Sequence, residues 1–120
     1  MQMQDMSSKT EEYQSFTSGQ IIFPEGAPGD DMYIVAEGQV NIVTDGQIIE
    51  TIEPGGIFGE IALIDNQPRS AAAIARTDCL ITPINRAHFL TLIQRTPPFA
   101  IQVMRVMANR LRRANQQRAT

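Results

Sequence analysis

The rhythm of hydrophobic and polar positions changes after residue 85. Between residues 19 and 85, short runs rich in Ile, Val and Phe alternate with Gly, Pro and Asp at intervals of about ten residues, the spacing of strands joined by turns. Residues 20–23 stop at Pro24-Glu25-Gly26, and residues 32–36 stop at Glu37-Gly38. Residues 40–44 lead into Asp45-Gly46, a pair that tolerates the positive φ angles of a two-residue hairpin. Residues 48–52 return and end at Pro54-Gly55-Gly56, and residues 71–75 and 80–84 follow. About seven short strands of this kind predict an antiparallel β-roll or jelly-roll barrel. Pro83 has no N–H for a ladder and is expected at an edge or a strand end.

Beyond Asn85 the period becomes helical. Asn85 is a suitable N-cap for a helix starting at Arg86, with Phe89, Leu90 and Ile93 on its buried face. Pro97-Pro98 closes that helix and opens a longer one, because proline is tolerated in a first turn. There Ala100, Met104, Met107, Leu111 and Ala114 recur at steps of four and three, and Phe99, Val103 and Val106 widen the stripe. A face that wide can serve the barrel and a partner, or it packs on its own domain alone. The first fifteen or so residues carry no period, which predicts a short helix or loose arm over residues 1–18. The predicted fold class is therefore mainly β, a β-roll over about 19–85 with C-terminal helices over about 86–118.

Composition narrows the chemistry. The 120 residues suit one domain, and 42% hydrophobic against 19% charged residues suits a globular core. No run reaches the ~18 apolar residues of a membrane span, and the N-terminus lacks a secretory apolar stretch, so a cytoplasmic location is expected. The single Cys79 rules out an internal disulfide and a cysteine zinc site, and is expected to be a small core residue. The single His88 makes a multi-histidine metal site of the cupin type improbable and is expected to serve surface or packing. Glu25, Asp30 and Asp31 lack ligand spacing and read as solvated turn acids, so no metal site is expected, and with one histidine against the several of a cupin-type enzyme no enzyme activity or catalytic residue is expected.

Net charge is −3, but it is unevenly distributed. Residues 1–68 hold one cation, Lys9, against twelve acids, whereas residues 69–120 hold nine arginines against Asp78. Arginine presents a rigid fork of donors suited to phosphate or carboxylate. A nucleic acid, a small phosphate and the acidic half of the same chain are all candidates for its partner. The last helix has no second helix to form a helix-turn-helix and no interleaved aromatics, so direct nucleic-acid binding is not expected.

The stretch richest in chemistry is Phe58-Gly59-Glu60-Ile61-Ala62-Leu63, a short gap, then Pro68-Arg69-Ser70-Ala71. Gly59 permits close backbone approach, and the residues after it form a helical turn too short to stand unless docked. Free N–H groups at that turn, the Arg69 cation and the Glu60 carboxylate would together satisfy a phosphate and a hydroxyl. Alternatively, Glu60 and Arg69 form an internal ion pair that ties helix to strand.

This segment resembles the phosphate-binding cassette of the cyclic nucleotide-binding domain family, in the pattern F-G-E-[LI]-A-L, a gap, then P-R-[SAT]-A. Phe23-Pro24-Glu25-Gly26, Gly29-Asp30, Met32-Tyr33-Ile34-Val35 and Glu37-Gly38 extend the resemblance over roughly residues 19–115. The resemblance implies that Arg69 pairs with the exocyclic phosphate oxygens and that Glu60 accepts from the ribose 2′-hydroxyl. It implies backbone contacts and space from Gly59, Ile61 and Ala62, a hydroxyl from Ser70 and an N–H from Ala71. The base-capping residue is not patterned, and Arg110, Arg112, Arg113 or an apolar neighbour are candidates. The implied ligand is cAMP, with cGMP and cyclic dinucleotides as competitors and no further cofactor. In parts of the family a threonine after the arginine goes with cGMP preference, and Ser70 is intermediate. The implied function is a sensor whose last helix reports binding to a protein partner or a second copy. The alternative is an interaction or dimerisation module that has kept the fold and lost the ligand.

Overall fold

The computed structural model describes residues 13–119. Its strands are β1 (Gln14–Phe16), β2 (Ile21–Phe23), β3 (Met32–Glu37), β4 (Val40–Thr44), β5 (Gln47–Ile52), β6 (Ile57–Phe58), β7 (Ala72–Ala75) and β8 (Cys79–Ile84). The helices are α1 (Glu60–Asp65), α2 (Arg86–Arg95) and α3 (Pro98–Ala119). Two antiparallel four-stranded sheets, ordered β1-β8-β3-β6 and β2-β7-β4-β5, make the β-roll. The fold is thus mainly β with C-terminal helices, as the turn spacing predicts.

Local chemistry accounts for the turns. Asp45 and Gly46 both take positive φ, 52° and 75°, and join β4 to β5 with Thr44 opposite Gln47. A bulge between Ile42 and Val43 sets Glu50 opposite Ile42 and Ile48 opposite Val43, leaving Ile49 as the extra residue. Pro83 lies opposite Tyr33, beyond the Cys79–Ile81 stretch that β1 covers, so its missing N–H costs no ladder bond on that side. The arm expected at residues 1–12 lies outside the described residues. Gln14–Phe16, assigned above to the same arm, instead adds an edge strand to β8.

The core has two parts. Val35, Val40, Ile52, Phe58, Ala73, Ala75, Cys79 and Ile81 fill the roll. Met32, Ile57, Leu63, Ile84 and Val103 join it to α1 and α3. Cys79 is buried as expected, and burial together with the neighbouring Asp78 raises its thiol pKa. The Asn85 side chain caps α2, accepting from the His88 N–H at 2.8 Å. The α2 face that packs is Phe89 with Leu92, and Leu90 points outward, which corrects the predicted set.

On α3 the wide apolar stripe divides. Val103 is fully buried, with Phe99, Val106 and Met107 packed beside it, whereas Ile101, Met104 and Leu111 are 50%, 54% and 63% exposed. The barrel takes only the side of the helix that faces Met32 and Ile84, so the predicted stripe straddles a boundary. No helix among the described residues is long and apolar enough to cross a membrane. No group of His, Cys, Asp or Glu among them could hold a metal ion.

Candidate functional site

The segment between β6 and β7 folds back on itself through two left-handed residues. Gly59, at φ 78°, precedes α1, and Asn66, at φ 60°, ends it with its N–H bonded to the Ala62 carbonyl. A Cβ on Gly59 would lie 2.9 Å from Arg69 Nη1, so the glycine is required by both φ and space. Buried Leu63 and Ala62 dock the six-residue helix on the roll. The Arg69 backbone is then pinned to the loop after β2, with Gly26 N–H to Arg69 O at 2.8 Å and Arg69 N–H to Ala27 O at 2.9 Å.

This places Arg69, only 5% exposed, in the wall of a cavity. Its Nη1 donates to the Gly59 carbonyl at 3.1 Å and its Nη2 to the Asp31 carbonyl at 2.9 Å. The guanidinium sits 4.1 Å from the centre of the Phe23 ring, a cation–π contact. Phe23, Tyr33 and Phe58 form a three-ring cluster, with centroids 6.0 Å from Phe23 to each of the other two and 5.2 Å between Tyr33 and Phe58. Nε is buried without a hydrogen-bond partner, and Arg69 forms no ion pair among the described residues. Burial and the charge of Asp30 raise the Asp31 carboxyl pKa, and the Arg69 charge only partly offsets them. A buried guanidinium with an idle donor and no carboxylate partner is an unfinished anion site.

The cavity measures about 530 Å3. All seven residues singled out from the sequence, Gly59, Glu60, Ile61, Ala62, Arg69, Ser70 and Ala71, line it. The internal Glu60–Arg69 ion pair is not formed. Glu60, 2% exposed, instead pairs with Arg110 of α3, with Oε1 accepting from Nη1 at 2.7 Å. Of the base-side candidates, Arg110 and Arg113 reach the cavity, while Arg112 faces away and donates to Asn109 Oδ1.

Glu50 of β5, absent from the sequence-derived set, completes the charged wall. Its Oε1 accepts from Arg110 Nε at 2.8 Å and from Arg113 Nη1 at 3.1 Å, and its Oε2 from Arg110 Nη2 at 3.2 Å. Nη2 also donates to the Ile57 carbonyl at 2.8 Å. Burial pushes the Glu50 carboxyl up, but hydrogen bonds from Arg110 and Arg113 and their charges hold it below its ordinary value. Burial likewise works against the Arg110 charge, and Glu50 and Glu60 hold its pKa above the usual one. Gly29 and Phe23 were also outside the sequence-derived set. A Cβ on Gly29 would fall 2.6 Å from Arg69 Nε and Nη2. The signal for Glu50 was available: it shares a strand face with buried Ile52, an odd position for an acid unless a cation meets it.

Between the two charged ends the lining is apolar, from Phe23, Ile42, Ile49 and Phe58 on the roll to Met107 and Leu111 on α3. The arrangement can hold an amphipathic anion, with its charge on Arg69, a polar middle at Glu60 and a flat apolar part beneath α3.

Comparison with known proteins agrees with this geometry. A CRP-like cAMP-activated global transcriptional regulator of Mycobacterium tuberculosis is 34% identical over 105 residues, covering 83% of this chain and 47% of that protein. A cAMP-dependent protein kinase regulatory subunit of Eremothecium gossypii is 39% identical over 77 residues, covering 64% of this chain and 17% of that protein. The chain thus spans less than half the length of these relatives. The crystal structure of the catabolite activator protein of Thermus thermophilus superposes with a TM-score of 0.76 at 32% identity, covering 95% of this chain and 57% of that one. The cyclic nucleotide-binding domain model matches residues 13–96, which hold all eight strands of the roll and the whole Arg69 segment, and the chain belongs to that family.

Proposed function

We propose that this domain is a cyclic nucleotide sensor, with cAMP as its ligand and cGMP as the competitor to test against it. The observation that carries the reading is the charge inventory of the cavity. Glu50 and Glu60 balance Arg110 and Arg113, and Arg69 alone lacks a carboxylate. A cyclic phosphodiester brings one negative charge, which suits a single uncompensated guanidinium. A bidentate phosphate contact at Arg69 supplies the charge-assisted bonds that its idle donors lack.

In this reading Arg69 holds the exocyclic oxygens, and Ser70 and Ala71 stand beside them. Glu60 accepts from the ribose 2′-hydroxyl, with Gly59, Ile61 and Ala62 shaping the space around the sugar. The base lies against the apolar wall of α3. No cofactor, catalytic residue or metal is assigned. The ligand bridges the Arg69 segment to α3, so occupancy favours one seating of that helix. Its exposed Ile101, Met104 and Leu111 offer the face through which a protein partner or a second copy senses that seating. By linkage, a partner that prefers the ligand-bound seating tightens nucleotide binding by the same factor.

Calorimetry with cAMP, cGMP and a cyclic dinucleotide on one sample, paired with melting curves, tests the proposal. Binding to the folded state at about a hundred times Kd adds about 2.7 kcal/mol of stability, a readily measured rise in Tm. An unchanged Tm in millimolar cAMP refutes the sensor and favours the interaction module.

A further inference from the structure

We propose that Glu50 is the positioning residue of the site: by occupying one edge of the Arg110 guanidinium it leaves Glu60 an oxygen for the ligand. The inference rests on the sensor reading above. Its geometry is a division of labour along one guanidinium. Nε and Nη2 are taken by the two oxygens of Glu50, and Nη2 also by the Ile57 carbonyl. Only Nη1 remains to reach Glu60, and it meets Oε1 alone. Among the described residues Glu60 Oε2 accepts no hydrogen bond, so one acceptor stays open towards the cavity that Glu60 lines.

Remove the Glu50 charge and that division fails. Arginine prefers a two-point grip on a carboxylate, and a released Arg110 would turn its fork onto both Glu60 oxygens. The acceptor meant for a hydroxyl would then be consumed. Besides Glu50, the Ile57 carbonyl is the one group that holds that edge of the guanidinium among the described residues. Glu50, Arg110 and Arg113 also line a second cavity of about 300 Å3, so the charged wall borders open space in two cavities. Charge, and Glu50 first, sets its geometry. Arg113 shares Glu50 Oε1 but does not touch Glu60, which makes it the control.

The test is titration of wild-type, Glu50→Gln and Arg113→Gln chains with cAMP and with 2′-deoxy-cAMP, with melting temperatures recorded for each. The deoxy ligand lacks the hydroxyl that Glu60 would receive, so the ratio of the two affinities reads the free oxygen. Glu50→Gln should weaken cAMP about tenfold or more and 2′-deoxy-cAMP less than about threefold, collapsing the ratio. Arg113→Gln should keep the wild-type ratio. Should Glu50→Gln fail to fold, Arg110→Gln decides, because it frees both Glu60 oxygens from the Arg110 fork and should preserve ribose selectivity although it breaks the pairs to both Glu50 and Glu60. A role in stability alone lowers the melting temperature and both affinities together; an unchanged ratio in Glu50→Gln, or a lost ratio in Arg110→Gln, overturns the inference. A wild-type chain that binds neither nucleotide overturns the sensor reading, and this inference with it.

Discussion

Replacing Gly29 by alanine tests the Arg69 site without touching any charge. The added Cβ would stand 2.6 Å from both Nε and Nη2 of Arg69 and 2.8 Å from Cζ, where ordinary contact begins at 3.4 Å. Gly29 does not have a positive φ, so the alanine backbone itself is unstrained. The guanidinium must therefore withdraw by most of an ångström. Its two bonds, at 3.1 Å to Gly59 O and 2.9 Å to Asp31 O, cannot both survive that shift, and its seat over Phe23 is disturbed. Each bond to a charged donor contributes about 1.5–3 kcal/mol. In the empty protein the displaced group can turn to water in the cavity, so the loss of stability should be only about 1–2 kcal/mol. A phosphate has no such freedom, because its place is set by the Arg69 segment. We expect cAMP affinity to fall ten- to a hundredfold, about 1.4–2.8 kcal/mol. Calorimetry well below the melting temperature measures it. Wild-type affinity and an unshifted melting temperature together would show that the position of Arg69 is not set as described.

Three further outcomes are expected. Arg69→Ala should weaken cAMP at least about a hundredfold, and Arg69→Lys nearly as much, since an ammonium cannot reproduce a bidentate fork; near-normal titration of the lysine variant contradicts the geometry. Gly38 has φ 84°, and a Cβ there would overlap the Asp78 carbonyl and lie 2.7 Å from Cys79 Cβ, so Gly38→Ala should cost about 2 kcal/mol or more by denaturant melts. Acid should loosen α3. The Glu50 carboxyl is depressed below 4.5 in the folded chain, so the stability it contributes is present above its unfolded pKa and is lost as pH falls through the lower folded value. Melting curves between about pH 3 and 6 should therefore show a shallower acid decline in Glu50→Gln than in wild type.

What could be read from the chain follows the range of each signal. Hairpin turns are local, and Asp45-Gly46 specified one because both residues tolerate positive φ. Asn85 specified a helix start because a side-chain cap is satisfied within three residues. The Arg69 segment was legible for a similar reason, since eleven residues hold Gly59, Glu60, Arg69 and their spacing. β1 and β6 were not, because three and two residues show no alternation and owe their strand form to β8 and β3. Leu90 was misplaced on α2 because two adjacent apolar residues leave the face ambiguous until the roll chooses Phe89 and Leu92. Glu60 was found, but its partner was not: Arg69 is near in sequence, and Arg110, fifty positions on, is the one that fold geometry delivers.

The acidic and basic halves of the chain meet along α3, and they do so unevenly. Towards its start the helix is held by Phe99, Val103 and Val106 against Met32, Ile57 and Ile84. Towards its end it is held by Arg110 and Arg113 on Glu50 and Glu60. These attachments differ in kind. Withdrawing Val103 exposes apolar area and leaves a void, which nothing in water repays. Withdrawing Arg110 returns its Glu50 contact to water, where both side chains already keep about a fifth of their surface exposed, but it strips the buried Glu60 carboxylate of its partner, a cost that a ligand hydroxyl on Glu60 offsets. A ligand that engages Glu60 therefore acts on the attachment easiest to shift. The start of α3 should behave as the pivot and the Arg110–Arg113 turn as the moving part. Hydrogen exchange should show this as ligand-dependent protection that is stronger around residues 108–116 than around Val103, and uniform protection along α3 would argue against a pivot.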